Sequence, residues 1–290
     1  MNKTMVVRAA IGMVASLGIW VAYTQTPQQP VSLTVEKIKD DLFVIIGDGG
    51  NVAAYVTDEG VILVDDKFER DNAEILAKMK TFTDKPVKYV LNTHQHGDHT
   101  GGNAKMLASN AEILIQKNAR ANMVAGKMPG IPRIAYGDET QVVLGGKEVD
   151  GHYFGRGHTN GDAMIYFPAA KVLHTGDLFT VANPPAGSTV AFAISPLIDY
   201  SAKGSLLEWT KTIDGVLNSS WDFDVVIPGH GPISKRADLV KYRNTLESAK
   251  NRVISLVKGG QDKDALGKTL TAEFGWNATR ALDGMIAEVK

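Results

Sequence analysis

Four short segments of this chain place metal-binding side chains directly after apolar runs, each with glycine alongside, and no other feature restricts its fold so tightly. Thr93-His94-Gln95-His96-Gly97-Asp98-His99 follows the run Val87–Leu91. Gly157-His158-Thr159 follows Lys147–Phe154. Gly176-Asp177 follows Lys171–His174, and Pro228-Gly229-His230-Gly231 follows Phe223–Ile227. Short β-branched runs of this kind read as strands. The chain must therefore bring several strand ends to one edge, where glycines allow tight turns and where α/β sheets bind ligands.

A histidine after a strand is usually just a satisfied polar residue. Five of the seven histidines in such positions, together with two aspartates, are hard to reconcile with chance. The chain has no cysteine, so thiolate ligands, disulfides and cysteine nucleophiles are excluded. The candidate ligands are His94, His96, Asp98, His99, His158, Asp177 and His230. Neutral imidazole with carboxylate suits zinc, and also manganese or iron. His152 lies inside a strand and reads as structural. His174, near Asp177, reads either as a support for the ligands or as a packed core histidine.

Elsewhere the pattern is of short strands and helices in two successive batches without a low-complexity linker. The first batch has strands at Ser32–Ile38, Leu42–Ile46, Val52–Val56, Val61–Val64, Val87–Leu91 and Glu112–Ile115, with helices at Arg70–Lys80 and Gly101–Ser109. Gly47-Asp48-Gly49-Gly50 reads as a hairpin turn, because it precedes a strand instead of opening a helix. Ala119–Pro132 reads as a loop with a partly helical start. The second batch adds strands at Val142–Leu144, Lys147–Phe154, Ala163–Phe167, Lys171–His174 and Phe223–Ile227. Phe179–Ser205 is irregular and long, as functional loops often are. Ser205–Val216 is a helix. Another, capped by Ser234, carries Leu239, Tyr242, Leu246, Ala249, Val253 and Leu256 on one face until Gly259-Gly260. A helical hairpin closes the chain. The expectation is one α/β domain over residues 31–290 with two similar halves.

The N-terminus reads as a signal peptide over residues 1–25, or a short uncleaved anchor: Lys3 and Arg8, an uncharged run from Ala9 to Tyr23, then a polar stretch ending at Pro30. An exported, periplasmic protein is the expectation. A formal net charge of -1 gives no electrostatic attraction to nucleic acid, and no membrane contact is expected beyond the anchor. The expected partner is a small-molecule substrate.

The ordered set His94-x-His96-x-Asp98-His99, Gly157-His158, Gly176-Asp177 and Gly229-His230 resembles the metallo-β-lactamase superfamily, from about Val31 to about Leu246. The resemblance implies a four-layer αββα sandwich. It implies a first zinc on His94, His96 and His158, a second on Asp98, His99 and His230, and Asp177 as the bridge. Asp65 matches an aspartate that supports the metal loop, and His174 could stand behind the ligands. The implied activity is that of a binuclear zinc hydrolase attacking an ester, lactone, thioester or amide/lactam carbonyl with metal-bound hydroxide, with Asp98 orienting it and passing its proton on. Three other readings belong with it: a periplasmic class B β-lactamase, an iron-dependent oxygenase, and a non-catalytic binding member. Lactamases with a cysteine ligand are excluded by composition. Those with Asp-His at the second zinc generally carry serine where Asp177 stands, so the aspartate looks more like glyoxalase II, lactonases and esterase-like members. Asn160 departs from an aspartate common at its position in similar exported members.

Overall fold

Side chains that alternate between two faces need a partner for each face, and several strands of this chain are apolar on both. The computed structural model describes residues 32–183 and 189–290; the expected signal segment 1–25 and Pro184-Pro185 lie outside the described residues. The first sheet runs in chain order through β1 (Thr34–Lys37), β2 (Leu42–Ile46), β3 (Val52–Val56), β4 (Val61–Val64), β5 (Val87–Asn92), β6 (Glu112–Gln116) and β7 (Ile134–Tyr136). The first four strands form an antiparallel meander, and β4 through β7 are parallel. The second sheet contains β8 (Glu139–Leu144), β9 (Lys147–His152), β10 (Met164–Phe167), β11 (Val172–His174), β12 (Val225–Ile227) and β13 (Ser234–Lys235), in reverse spatial order. In it β11 and β12 are parallel, and the other pairs antiparallel.

Ile62 and Val64 of β4 point into a core shared with Ile165 and Phe167 of β10, while Val61 and Leu63 pack on the other side. Tyr55 meets Phe167 edge to face across the two sheets, with ring centroids 5.3 Å apart. Behind the first sheet lie Ile75 and Met79 of α1 (Asn72–Met79) and Met106 of α3 (Asn103–Ala108). Behind the second, Met164, Tyr166, Leu173 and Val226 meet α5 (Leu206–Leu217), α6 (Arg236–Lys258), α7 (Lys263–Phe274) and α8 (Leu282–Val289). The layers are helix, sheet, sheet, helix, so the expected αββα sandwich is the fold. Trp209 and Trp276 are fully buried in the second helical layer. At about 25 cal/mol per Å² and roughly 150–250 Å² each, they stabilise it by on the order of 4–6 kcal/mol apiece.

The stretch expected as a loop with a partly helical start does begin in a helix, α4 (Lys117–Ala125), because Gln116 accepts from Asn118 N at its start and Ala119 and Met123 are buried. Two local features differ from expectation. Ser234 does not cap α6. It pairs with Val226 in β13, and Lys235 precedes the helix, its N–H donating to Asp238 at 2.9 Å. The three-residue β7 is a strand that the sequence pattern does not announce. Among the described residues no helix is long and apolar enough to cross a membrane.

Candidate metal centre

Because β9, β11 and β12 run in one direction and β4 to β6 share theirs, the loops after β5, β9, β11 and β12 open at one edge of the sandwich. The loop after β5 includes the single turn α2 (Gly97–Thr100). It brings its four ligand candidates to the side chains delivered by the second sheet.

They form two groups. In the first, His96 Nδ1 lies 3.2 Å from His94 Nε2 and 2.8 Å from His158 Nε2. In the second, His230 Nε2 lies 3.2 Å from Asp98 Oδ2 and 3.3 Å from His99 Nε2. Asp177 faces both groups: its Oδ1 is 3.2 Å from His99 Nε2 and 3.4 Å from His230 Nε2, and its Oδ2 is 3.6 Å from His158 Nε2. Ligand atoms of each group fall within 4.8 Å of one another. Two nitrogens on one tetrahedral zinc would stand about 3.3 Å apart.

The outer nitrogens explain why the inner ones converge. His158 Nδ1 donates to Leu197 O, and His96 Nε2 donates to the Asp199 carboxylate at 2.9 Å. His99 Nδ1 donates to Asp65 Oδ2 at 2.8 Å. Thr93 Oγ1 gives its proton to Asp65 Oδ2 at 2.8 Å and accepts from His94 Nδ1 at 3.0 Å. Each ring then turns its other nitrogen inward, as histidine ligands do when an outer acceptor fixes the ring. Asp65 also takes Thr93 N at 2.8 Å and stands at φ 61° directly after β4. The two remaining histidines have different surroundings. His174 is buried with both ring nitrogens on backbone, Nε2 to Asn51 O at 3.0 Å and Nδ1 from Gly176 N at 3.1 Å. It thus steadies the segment that carries Asp177. His152 stacks on Phe154 with ring centroids 4.1 Å apart, away from the centre.

The electrostatics follow the geometry. Burial holds His94 well below the ordinary histidine range and pushes His158 down to about 4. Burial acts the same way on His99 and His230, but facing carboxylates outweigh it. Asp177 and Asp65 keep His99 well above the ordinary range, and Asp177 with Asp98 raises His230 to about 9. Against burial, the neighbouring imidazoles hold Asp98 down at about 2 and Asp177 well below the carboxylate range. Asp177 Oδ1 is buried yet takes no well-aligned hydrogen bond. A buried oxygen left so, among imidazole nitrogens that face one another, fits a cation. The donors suit zinc, iron or manganese.

Close approach of backbone completes the centre. A Cβ on Gly229 would stand 2.0 Å from Asp177 Oδ1, and one on Gly50 would stand 2.2 Å from the His99 ring. The hairpin turn at Gly47–Gly50 therefore roofs the candidate ligands as well as joining strands. Asn51 beside it donates to Pro228 O and Gly231 O, both at 2.9 Å, and pins the His230 loop. The profile of the metallo-beta-lactamase superfamily matches residues 45–250.

The chain belongs to the metallo-beta-lactamase superfamily. As a member it is a metal-dependent hydrolase. It is 24% identical over 196 residues to metallo-beta-lactamase type 2 of Bacillus cereus, covering 66% of this chain and 70% of the relative. It is 28% identical over 206 residues to the 2,4-dinitroanisole O-demethylase subunit alpha of Nocardioides sp. (strain JS1661), covering 69% of this chain and 58% of that one. Among solved structures, the metallo-beta-lactamase from Pontibacter korlensis superposes with a TM-score of 0.63 at 22% identity, over 74% of this chain and 99% of its own. The DIM-1 metallo-beta-lactamase gives 0.62 at 20%, over 75% and 98%. These structures show the shared fold.

Sequence reading missed Asp199, Asn51 and Asp162. Asp162 accepts from Thr159 N at 2.9 Å and Gly157 N at 3.2 Å and so shapes the His158 turn. Its place four residues after His158 was the available signal. Asn160, the residue that departs from the family pattern, accepts from Asn122 Nδ2 at 2.9 Å and from Asn118 Nδ2 at 2.8 Å, tying α4 to the same turn.

Proposed function

We propose that this chain is a binuclear zinc hydrolase of a carbonyl compound, an ester, lactone, thioester or amide, and that it acts after export to the periplasm. The observation that carries the reading is the Asp177 carboxylate, whose two oxygens face the two ligand groups separately. His94, His96 and His158 would hold one cation, Asp98, His99 and His230 the other, with Asp177 shared. Two bound zinc ions supply Lewis acidity and a nucleophilic water at neutral pH.

The chain's own groups do the rest. Asp98 is ionised and partly exposed, placed to take the proton of the attacking water and return it to the leaving group. The substrate would enter beside His96, where a cavity of about 370 Å³ is lined by Leu197, Ile198, Tyr200 and Arg280. Leu197, 45% exposed, offers an apolar rest for the acyl portion. Export is supported by Lys3, Arg8 and the uncharged run after them.

The test is a screen of ester, lactone, thioester and β-lactam substrates on zinc-loaded protein, with and without chelator, beside elemental analysis. Two zinc ions per chain and chelator-sensitive turnover are expected. Active protein without tightly held metal would sink the proposal. A preference for the β-lactam would favour class B β-lactamase activity, a reading supported by the similarity to the Bacillus cereus enzyme. Iron in place of zinc, with oxygen uptake, would mark an oxygenase instead.

A further inference from the structure

The family profile ends at residue 250, but the chain continues through the end of α6 and through α7 and α8. This added part reaches the metal centre through hydrogen bonds. Glu288 on α8 accepts from Tyr200 Oη at 2.9 Å, from the Ser205 hydroxyl, and from Leu206 N at 3.0 Å. Leu206 begins α5, so the carboxylate satisfies an otherwise orphaned amide at that helix's first turn. Gly284, on the same helix, lies against the Tyr200 ring so closely that a Cβ would come within 2.0 Å of it. Trp276 Nε1 donates to Pro196 O at 3.0 Å, and Ile194 N donates to Phe274 O at 3.2 Å. The segment from Ile194 to Ser205 is thus fastened at several points by residues 274–288.

That segment contributes no candidate ligand, but it holds two of them from behind. Leu197 O accepts from His158 Nδ1, and Asp199 accepts from His96 Nε2 at 2.9 Å. Asp199 N also donates to His158 O at 2.9 Å. Both contacted rings belong to the three-histidine group. In the other group His99 is held by Asp65, which follows β4 of the first sheet. An imidazole whose outer nitrogen is fixed is aimed before a cation arrives, and loss of such an outer partner typically lowers metal affinity about 10–100-fold.

We propose that Glu288 is a positioning residue for the three-histidine site: through Tyr200 and Ser205 it fixes the segment that aims His96 and His158, so the C-terminal helices set the affinity of that site and not of its neighbour. The proposal rests on the metal reading above.

The experiment uses the full chain and divalent cobalt, followed by its visible absorption and by chelator competition. His230→Ala isolates the three-histidine site, and His94→Ala isolates the other. In the first background Glu288→Ala should weaken cobalt binding about tenfold, at the low end for an outer partner, and alter the cobalt band. In the second background cobalt binding should stay within about twofold, well short of that range. Glu288→Gln, which keeps one acceptor oxygen, should recover part of the loss. Tyr200→Phe, which removes one hydroxyl and no bulk, should give a smaller change of the same kind and decides the matter if Glu288→Ala does not fold. Equal weakening at both sites, or none at either, would overturn the role of Glu288 while leaving the metal centre intact. A wild-type chain that binds no cobalt would overturn both.

Discussion

Asp65 Oδ2 stands 2.8 Å from His99 Nδ1 and 2.8 Å from the Thr93 hydroxyl that in turn meets His94, so one buried carboxylate aims a ring in each ligand group. Asp65→Asn tests this cleanly, because asparagine also tolerates the left-handed backbone found there. The amide keeps one acceptor where three hydrogen bonds arrive. Zinc affinity should fall about 10–100-fold, read by chelator competition, with the circular dichroism spectrum unchanged. Wild-type affinity in this variant would remove Asp65 from the support of the centre.

The two groups should respond differently to pH. A cation needs a deprotonated ring. Burial holds His94 well below the ordinary range and His158 at about 4, so neither ring carries a proton that a cation at the three-histidine site must displace near neutral pH. His230 is raised to about 9 by Asp177 and Asp98, which outweigh its burial. His99 of the same group is also held well above the ordinary range by Asp177 and Asp65, so a cation there would displace protons from both rings, and its affinity should climb as pH rises toward 9, roughly tenfold per unit per proton released. Calorimetry in buffers of different ionisation enthalpy reads the released protons directly. The same shift governs the metal-free protein. Protonated His230 contributes stability that is fully present below the unfolded value of about 6.5 and is lost as pH rises through about 9. A second site that binds independently of pH would show the pairing to be misassigned.

Glycine at two positions should matter unequally. Gly229→Ala would drive a methyl to 2.0 Å from Asp177 Oδ1 and to 2.7 Å from the Gly176 backbone, which cannot swing aside. Expected are a loss of about 1–3 kcal/mol and a drop in bound zinc. At Gly97, in the middle of the ligand loop, an added Cβ would meet nothing within 4 Å. Gly97→Ala should load metal like the parent chain. Zinc content and thermal melts of the two variants make the comparison, and equal behaviour would contradict the packing described.

Tyr242 offers a stability test at a residue outside the candidate ligand set. Its ring is buried against Phe179 with centroids 5.0 Å apart, and its hydroxyl has no hydrogen-bond partner. An unsatisfied buried hydroxyl costs about 1–3 kcal/mol. Tyr242→Phe should raise stability by about 1 kcal/mol in urea titration. A clear loss would mean that the hydroxyl is satisfied in solution.

The candidate ligands stood out because each lies in a short glycine-bearing loop at the end of a strand, a local pattern that needs no knowledge of distant contacts. The sandwich was legible for the same reason, since Val61-Ile62-Leu63-Val64 is apolar at every position and must be covered on both sides. Asp199 was not, because it lies in an irregular stretch where no periodicity marks one carboxylate above another. Glu288 sits on an amphipathic helix and reads there as an ordinary solvent charge; only the return of α8 to Ser205 gives it a task. Ser234 misled because a good capping residue can be recruited by a neighbouring strand, as β12 does here.

The cage is closed by side chains far apart in sequence, His94 at one end and His230 at the other, supplied by different sheets. A nascent chain that has only its first half carries four of the seven donors and nowhere to enclose an ion. Under the metal reading, an ion would find its full set of donors only on a chain whose two halves have both been made and folded.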